Sequence, residues 1–62
     1  MKLQEMINQG YALRGWALKT VRGERRVVVK LKRHERTYVT HSPFVDTKLS
    51  DVEFTEPVMV KL

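Results

Sequence analysis

Apolar and polar residues alternate with a period of two over much of this chain, which is the pattern of β-strands. The clearest alternation lies on either side of Gly23 and Glu24. A type II′ turn requires glycine at the first of its two central positions. We therefore predict a β-hairpin that turns at Gly23-Glu24, in a register that places Trp16 opposite Leu31.

This register assigns every side chain of the hairpin to one of two faces, because side chains alternate across a strand. The predicted core face holds Trp16, Leu18, Thr20, Val27, Val29 and Leu31. The opposite face holds Ala17, Lys19, Val21, Arg26, Val28, Lys30 and Lys32. Both strands give the same division, and a pairing slipped by one residue would destroy it.

The segment before the hairpin predicts a short helix. Leu3, Met6 and Ile7 fall on one helical face, and Gly10 stands where a helix is expected to stop. A helix of about two turns is marginal alone, so its apolar stripe must dock on the sheet.

The segment after the hairpin predicts further strands. A second reversal at residues 33–36 would bring Tyr38 beside Leu31 on the core face, and Pro43 ends that strand because proline cannot donate to the ladder. A loop follows, with Phe44 tucked under it. The alternating segments 51–55 and 57–62 predict one or two more strands, with Val52 and Phe54 facing inward.

These elements together predict the fold class. We expect a mainly β (α+β) protein with a short N-terminal helix and a small curved antiparallel sheet or open barrel of three to five strands. Residues 1–62 form one domain. The last strand either closes its own sheet or is exchanged with a second copy.

The small size of the chain bears on its stability. A domain of 62 residues buries only about 60% of the surface that its unfolded form exposes. The sequence has no cysteine and suggests no metal cluster, so we expect no cofactor and neither of the usual reinforcements of small domains. Self-association is the remaining reinforcement, and we expect a homodimer.

The positive charge is concentrated in one stretch. The net charge is +5, and residues 21–36 alone hold seven basic and two acidic residues, while the rest of the chain holds five of each. No apolar run is long enough for a membrane span, and the first ten residues lack the apolar stretch of a secretory signal. We expect a cytoplasmic protein with no membrane partner.

The basic stretch suggests contact with nucleic acid. Lysines two positions apart on a strand lie roughly 6.6 Å apart, close to the spacing of successive phosphates. A solvated sheet face also needs polar residues, but glutamate or threonine would serve equally well there. The candidate phosphate-binding residues are Lys19, Arg22, Arg25, Arg26, Lys30, Lys32, Arg33 and Arg36. No aromatic residue falls on the basic face, which favours duplex or backbone contact over base stacking.

The sequence also bears on two other functional classes, an enzyme and a protein-interaction module. An enzyme is not expected, because His34 and His41 have no orienting carboxylate in the predicted register and Ser42 and Ser50 have no neighbouring base. The alternative is a small protein-interaction module, such as an inhibitor or accessory factor of the kind that phages and mobile elements encode. It would act through its sheet edge, its basic hairpin or a dimer surface, and an acidic protein surface would be its partner.

Overall fold

A computed structural model describes residues 1–60 of the chain. Its elements are α1 (Leu3–Asn8), β1 (Ala12–Val21), β2 (Glu24–Arg33), β3 (Arg36–Pro43), a 3₁₀ turn (Leu49–Asp51) and β4 (Val58–Met59). The strands form one antiparallel sheet in the order β1-β2-β3-β4. The predicted fold class is confirmed in its open-sheet form, with a short N-terminal helix.

The N-terminal helix ends as its sequence predicts. Gly10 has φ +93°, a left-handed conformation that glycine adopts without strain, and its N–H donates to the carbonyl of Ile7. Met6 is fully buried, whereas Ile7 is exposed. The helix therefore docks along a narrow stripe.

The first hairpin turns one residue earlier than predicted. Val21 pairs with Glu24, so the central residues of the turn are Arg22 (φ 53°) and Gly23 (φ 79°). Two positive φ values define a type I′ turn, in which glycine takes the second central position rather than the first. The predicted Gly23-Glu24 turn is wrong for this reason.

The displaced turn leaves the two faces unchanged. Trp16 lies opposite Val29 rather than Leu31, which is a shift of two residues in the pairing. Since side chains alternate with a period of two, a shift of two residues keeps each side chain on its predicted face. A β-bulge at Arg14 then lets Leu13 pair with Leu31.

The second hairpin has the predicted register. Leu31 pairs with Tyr38, and Arg33 pairs with Arg36 across a two-residue turn. His34 and Glu35 occupy that turn with φ of 52° and 63°. This is again a type I′ turn, here without glycine.

The core lies on one side of β2 and β3. Its buried apolar residues come from α1, the residue before β1, alternate positions of β2 and the segment that precedes β4: Met6, Tyr11, Val27, Val29, Leu31, Val52 and Phe54. Thr40 of β3 is also fully buried, and its hydroxyl donates to the carbonyl of Thr55. The predicted inward positions of Val52 and Phe54 are confirmed, although they lie in an irregular segment rather than in a strand.

The sheet is covered on one face only. The protein is a slab whose shortest dimension is 16 Å. α1 and the segment 44–57 lie over β2 and β3, and every residue of β1 is exposed. The predicted burial of Trp16 and Phe44 is therefore wrong, since these side chains are 66% and 44% exposed.

The last strand is short and pairs within its own chain. Val58 and Met59 pair with Val39 and Tyr38. Leu62, which the predicted alternation includes, lies outside the described residues. Among residues 1–60, no helix is long and apolar enough to cross a membrane.

Candidate nucleic-acid interface

Four of the predicted phosphate-binding residues lie on one face of the sheet, which we call the basic face. Lys19 lies directly opposite Arg26 across the first hairpin, and Lys30 and Lys32 follow at alternate positions of β2. Alternate positions of one strand share a face, and residues opposite each other on neighbouring strands do so too. The basic face is thus Lys19, Arg26, Lys30 and Lys32, and it is the side of the sheet that neither α1 nor the segment 44–57 covers.

The three lysines of the basic face are exposed and not neutralised. Lys19, Lys30 and Lys32 form no salt bridge with any described residue. Their cross-strand neighbours, apart from Arg26, are uncharged, since Lys30 pairs with Gly15 and Val39. The positive charge on this face therefore remains available to an anion.

Arg26 is held more firmly than the lysines. Its Nη1 forms an ion pair with Glu24 at 3.0 Å, and its Nε donates to Nδ1 of His41 at 3.1 Å. Val21 and Val28 line the shallow depression beside it. The Glu24 carboxylate offsets part of the charge of Arg26, so the lysines contribute most of the uncompensated charge.

The two turns carry further cations at the ends of the hairpins. Arg22 is exposed in the first turn. Arg36 lies beside the second turn, and its Nη1 is 4.0 Å from the sulfur of Met59. Both side chains lie outside the central row of lysines.

Arg25 and Arg33 have register positions on the opposite face of the sheet. Arg25 lies opposite Thr20, and its guanidinium stands over the ring of Phe44 at 5.2 Å from the centroid. Such cation–π contacts stabilise exposed sites by about 0.5–1 kcal/mol. Arg25 therefore has an aromatic partner within its own chain.

Arg33 is half-buried between two tyrosines. Its guanidinium lies 4.0 Å from the ring centroid of Tyr11 and 5.6 Å from that of Tyr38, and it donates to the carbonyl of Gln9 at 3.1 Å. Its Nε is buried and has no hydrogen-bond partner among residues 1–60. These contacts connect the second hairpin to the end of α1, which gives Arg33 a role in packing.

Acidic residues gather on the side of the molecule away from the basic face. Asp46, Asp51 and Glu53 belong to the segment 44–57 that covers the core, and all three are exposed. The sequence separates basic and acidic stretches along the chain, and the fold keeps these three carboxylates off the basic face. A polyanion approaching the basic face does not meet these carboxylates.

Sequence reasoning missed an exposed apolar surface on the core side of β1, which we call the β1 apolar surface. Its members are each at least 40% exposed: Leu13, Trp16, Leu18, Phe44, Val45 and Leu49. Trp16 and Leu49 line two adjoining depressions, which makes the surface continuous. The short length of α1 was the available signal, since a helix of six residues spans about 9 Å and cannot cover every strand.

The histidines lie apart from one another. His34 is exposed in the second turn, while His41 accepts the hydrogen bond from Arg26. Within residues 1–60, no group of three or more histidine, aspartate or glutamate side chains is placed to hold a metal ion.

The chain was compared with protein-family models, with curated proteins and with solved structures. None of the three comparisons gave a match.

Proposed function

We propose that the protein binds nucleic acid by contacting the phosphate backbone through its basic face. The observation that supports this proposal is the gathering of Lys19, Lys30 and Lys32 on one open side of the sheet, without ion-pair partners among residues 1–60. The phosphate backbone supplies most of the affinity of non-specific binding, so a cluster of this kind suits it.

The layout of the basic face favours backbone contact over base stacking. Lys30 and Lys32 are two residues apart on β2, which corresponds to roughly 6.6 Å along the strand. The apolar positions between the cations are Ala17, Val21, Val28 and Val39, which carry no ring, and the imidazole of His41 on this face is held by the hydrogen bond from Arg26. Because β1 and β2 belong to a four-stranded sheet, the basic face meets a nucleic acid as an open surface along its backbone.

The proposal is tested with two double variants of equal net charge. Lys30→Gln/Lys32→Gln removes two cations from the basic face, and Lys2→Gln/Lys48→Gln removes two exposed cations from the elements that cover the opposite face. Binding to duplex DNA, single-stranded DNA and RNA is titrated at several salt concentrations. We expect the first variant to bind more weakly and to lower the magnitude of the duplex salt slope by about 0.9 per lost contact.

Because the two variants have equal net charge, a difference in their affinities reports the position of the lost lysines. If both variants lose the same affinity and keep the same slope, overall positive charge rather than the basic face attracts the ligand. If the parent binds none of the three nucleic acids near physiological salt, nucleic-acid binding is not its function.

A second candidate function is that of a protein-interaction module. The β1 apolar surface favours it, because an exposed tryptophan among leucines and valines is typical of a protein contact. The basic face would in that case meet an acidic protein surface. Under either function we propose a cytoplasmic homodimer without catalytic activity, and sedimentation equilibrium of the purified protein tests the dimer.

A further inference from the structure

β1 is an edge strand that is only partly protected. It lies at one end of the strand order, it is ten residues long, and all ten residues are exposed. Natural sheets protect such edges with proline, short strands, β-bulges or charged side chains. β1 has a bulge at Arg14 and a charge at Lys19, but its segment from Gly15 to Leu18 has neither device. The opposite edge has two of these devices, since β4 contains two residues and follows Pro57.

The backbone of β1 alternates between groups bonded to β2 and groups directed outward. The carbonyl of Arg25 accepts a hydrogen bond from the N–H of Phe44, so Arg25 faces β3 and does not bond its β1 neighbour Thr20. In an antiparallel pair the bonded and non-bonded positions alternate. Thr20, Leu18 and Trp16 therefore direct their N–H and C=O groups to the free edge.

The same three residues have their side chains on the core side of the sheet. Trp16 and Leu18 are 66% and 43% exposed there. A partner strand at this edge would thus gain backbone hydrogen bonds and apolar contact together.

We propose that β1 pairs antiparallel with β1 of a second copy, about a two-fold axis at Leu18, to give a continuous eight-stranded sheet. Leu18 is the centre of the regular segment from Gly15 to Val21, which follows the bulge. In this register Trp16 lies opposite Thr20 of the second copy and diagonal to its Leu18. The pairing is isologous, as a two-fold interface requires.

The observations favour a second copy over an unrelated partner. The residues beside the axis, Gly15 to Leu18, are uncharged, and Lys19 lies opposite Ala17 of the second copy rather than opposite a like charge. Trp16, Leu18 and Thr20 of the two copies become cross-strand neighbours on the core side, so the pairing joins the two β1 apolar surfaces. The cysteine-free chain otherwise lacks a reinforcement that small domains use.

The dimer would also bring the basic faces of two copies together, and the use of this combined surface rests on the proposed function. A two-fold axis perpendicular to the sheet keeps the basic faces of both copies on the same side. Lys19, Lys30 and Lys32 of both copies then form one symmetric basic surface on the four central strands. The interface itself does not depend on nucleic-acid binding.

The test compares the two edges of the sheet with equal changes of charge. Leu18→Lys places a lysine on the core side of β1, and Val58→Lys places a lysine on the basic side of the exposed β4 edge. Sedimentation equilibrium without nucleic acid should show a dimer for the parent and for Val58→Lys. Leu18→Lys should weaken association at least 100-fold and keep a cooperative melt. A monomeric parent at 100 μM, or dissociation by Val58→Lys alone, would overturn the proposal.

Cysteine cross-linking gives a second measurement that does not require Leu18→Lys to fold. Residues in a hydrogen-bonded antiparallel pair have Cα atoms about 5.5 Å apart, which is within disulfide range. Leu18→Cys should form a linked dimer on mild oxidation, and Val58→Cys should not. Cross-linking through Val58→Cys alone would show that β4 forms the interface. Duplex binding is titrated separately on the parent, so a parent that dimerises but does not bind nucleic acid refutes only the proposed function.

Discussion

The second hairpin turn provides the sharpest test of the backbone geometry. His34 and Glu35 both have left-handed φ values, and neither is glycine. The first turn has glycine at the position that Glu35 occupies in the second. Replacing Glu35 with glycine should therefore stabilise the protein.

The magnitude follows from two opposing effects. A left-handed residue other than glycine costs roughly 1–2 kcal/mol, whereas glycine adds an unfolded-state entropy cost of about 0.5–1 kcal/mol. Glu35 forms no salt bridge with any residue in the range 1–60 and is exposed, so little contact energy is lost. We expect Glu35→Gly to raise the free energy of unfolding by about 1 kcal/mol, or the Tm by roughly 4–8 °C for a domain of this size.

The assay is thermal and urea unfolding followed by circular dichroism. Glu35→Gln is the matched control, because it removes the same charge and keeps the side-chain constraint on φ. The reciprocal change, Gly23→Val, should destabilise the fold, and the space around Gly23 is open, so the loss reports backbone strain. If Glu35→Gly is no more stable than Glu35→Gln, the left-handed turn is refuted.

Three further changes probe the core and its rim. Thr40→Val should lower the free energy of unfolding by about 1 kcal/mol, because the part-buried hydrogen bond from the Thr40 hydroxyl to the carbonyl of Thr55 is lost; an unchanged urea midpoint would contradict this. Arg33→Met should cost about 1–2 kcal/mol through the lost contact with Tyr11, and a variant that is fully stable but binds nucleic acid weakly would assign Arg33 to the ligand instead. Leu31→Ala should cost about 2–5 kcal/mol by opening a cavity in the core, and a thermal melt equal to that of the parent would place Leu31 outside the core.

The face assignment was predictable because it depends only on the alternation of side chains. Val27, Val29 and Leu31 are buried as expected. The position of the first turn was harder to predict, since Gly23 suits either the first central position of a type II′ turn or the second central position of a type I′ turn. The chemistry of Arg22 and Glu24 does not separate these two choices.

The exposure of Trp16 was not predictable from the alternation. A period of two identifies the face on which a side chain lies, but it does not show whether another layer covers that face. Coverage depends on how far α1 and the segment 44–57 reach, which is a property of the tertiary structure. The packing of Arg33 was not predictable for a similar reason, because Tyr11 and Tyr38 come from two separate segments of the chain that only the tertiary structure brings together.

The candidate site was predictable in part. Lys19, Arg26, Lys30 and Lys32 come together as the alternation indicates. Arg25 was grouped with them by its position in the sequence, but its cross-strand neighbour is Thr20 and its guanidinium stacks on Phe44. Proximity along the chain is a poor guide to a shared face when neighbouring residues point in opposite directions.

The position of the first turn sets the spacing of charges on a surface to which the turn itself does not belong. A turn at Gly23-Glu24 would slide β1 by two residues against β2, about 6.6 Å, and would keep every residue on its present face. Lys19 would then lie opposite Val28 instead of Arg26. Substitutions at residues 22–24 that move the turn would thus change the distances between Lys19 and the cations of β2 in steps of two residues. The composition of both faces would stay the same.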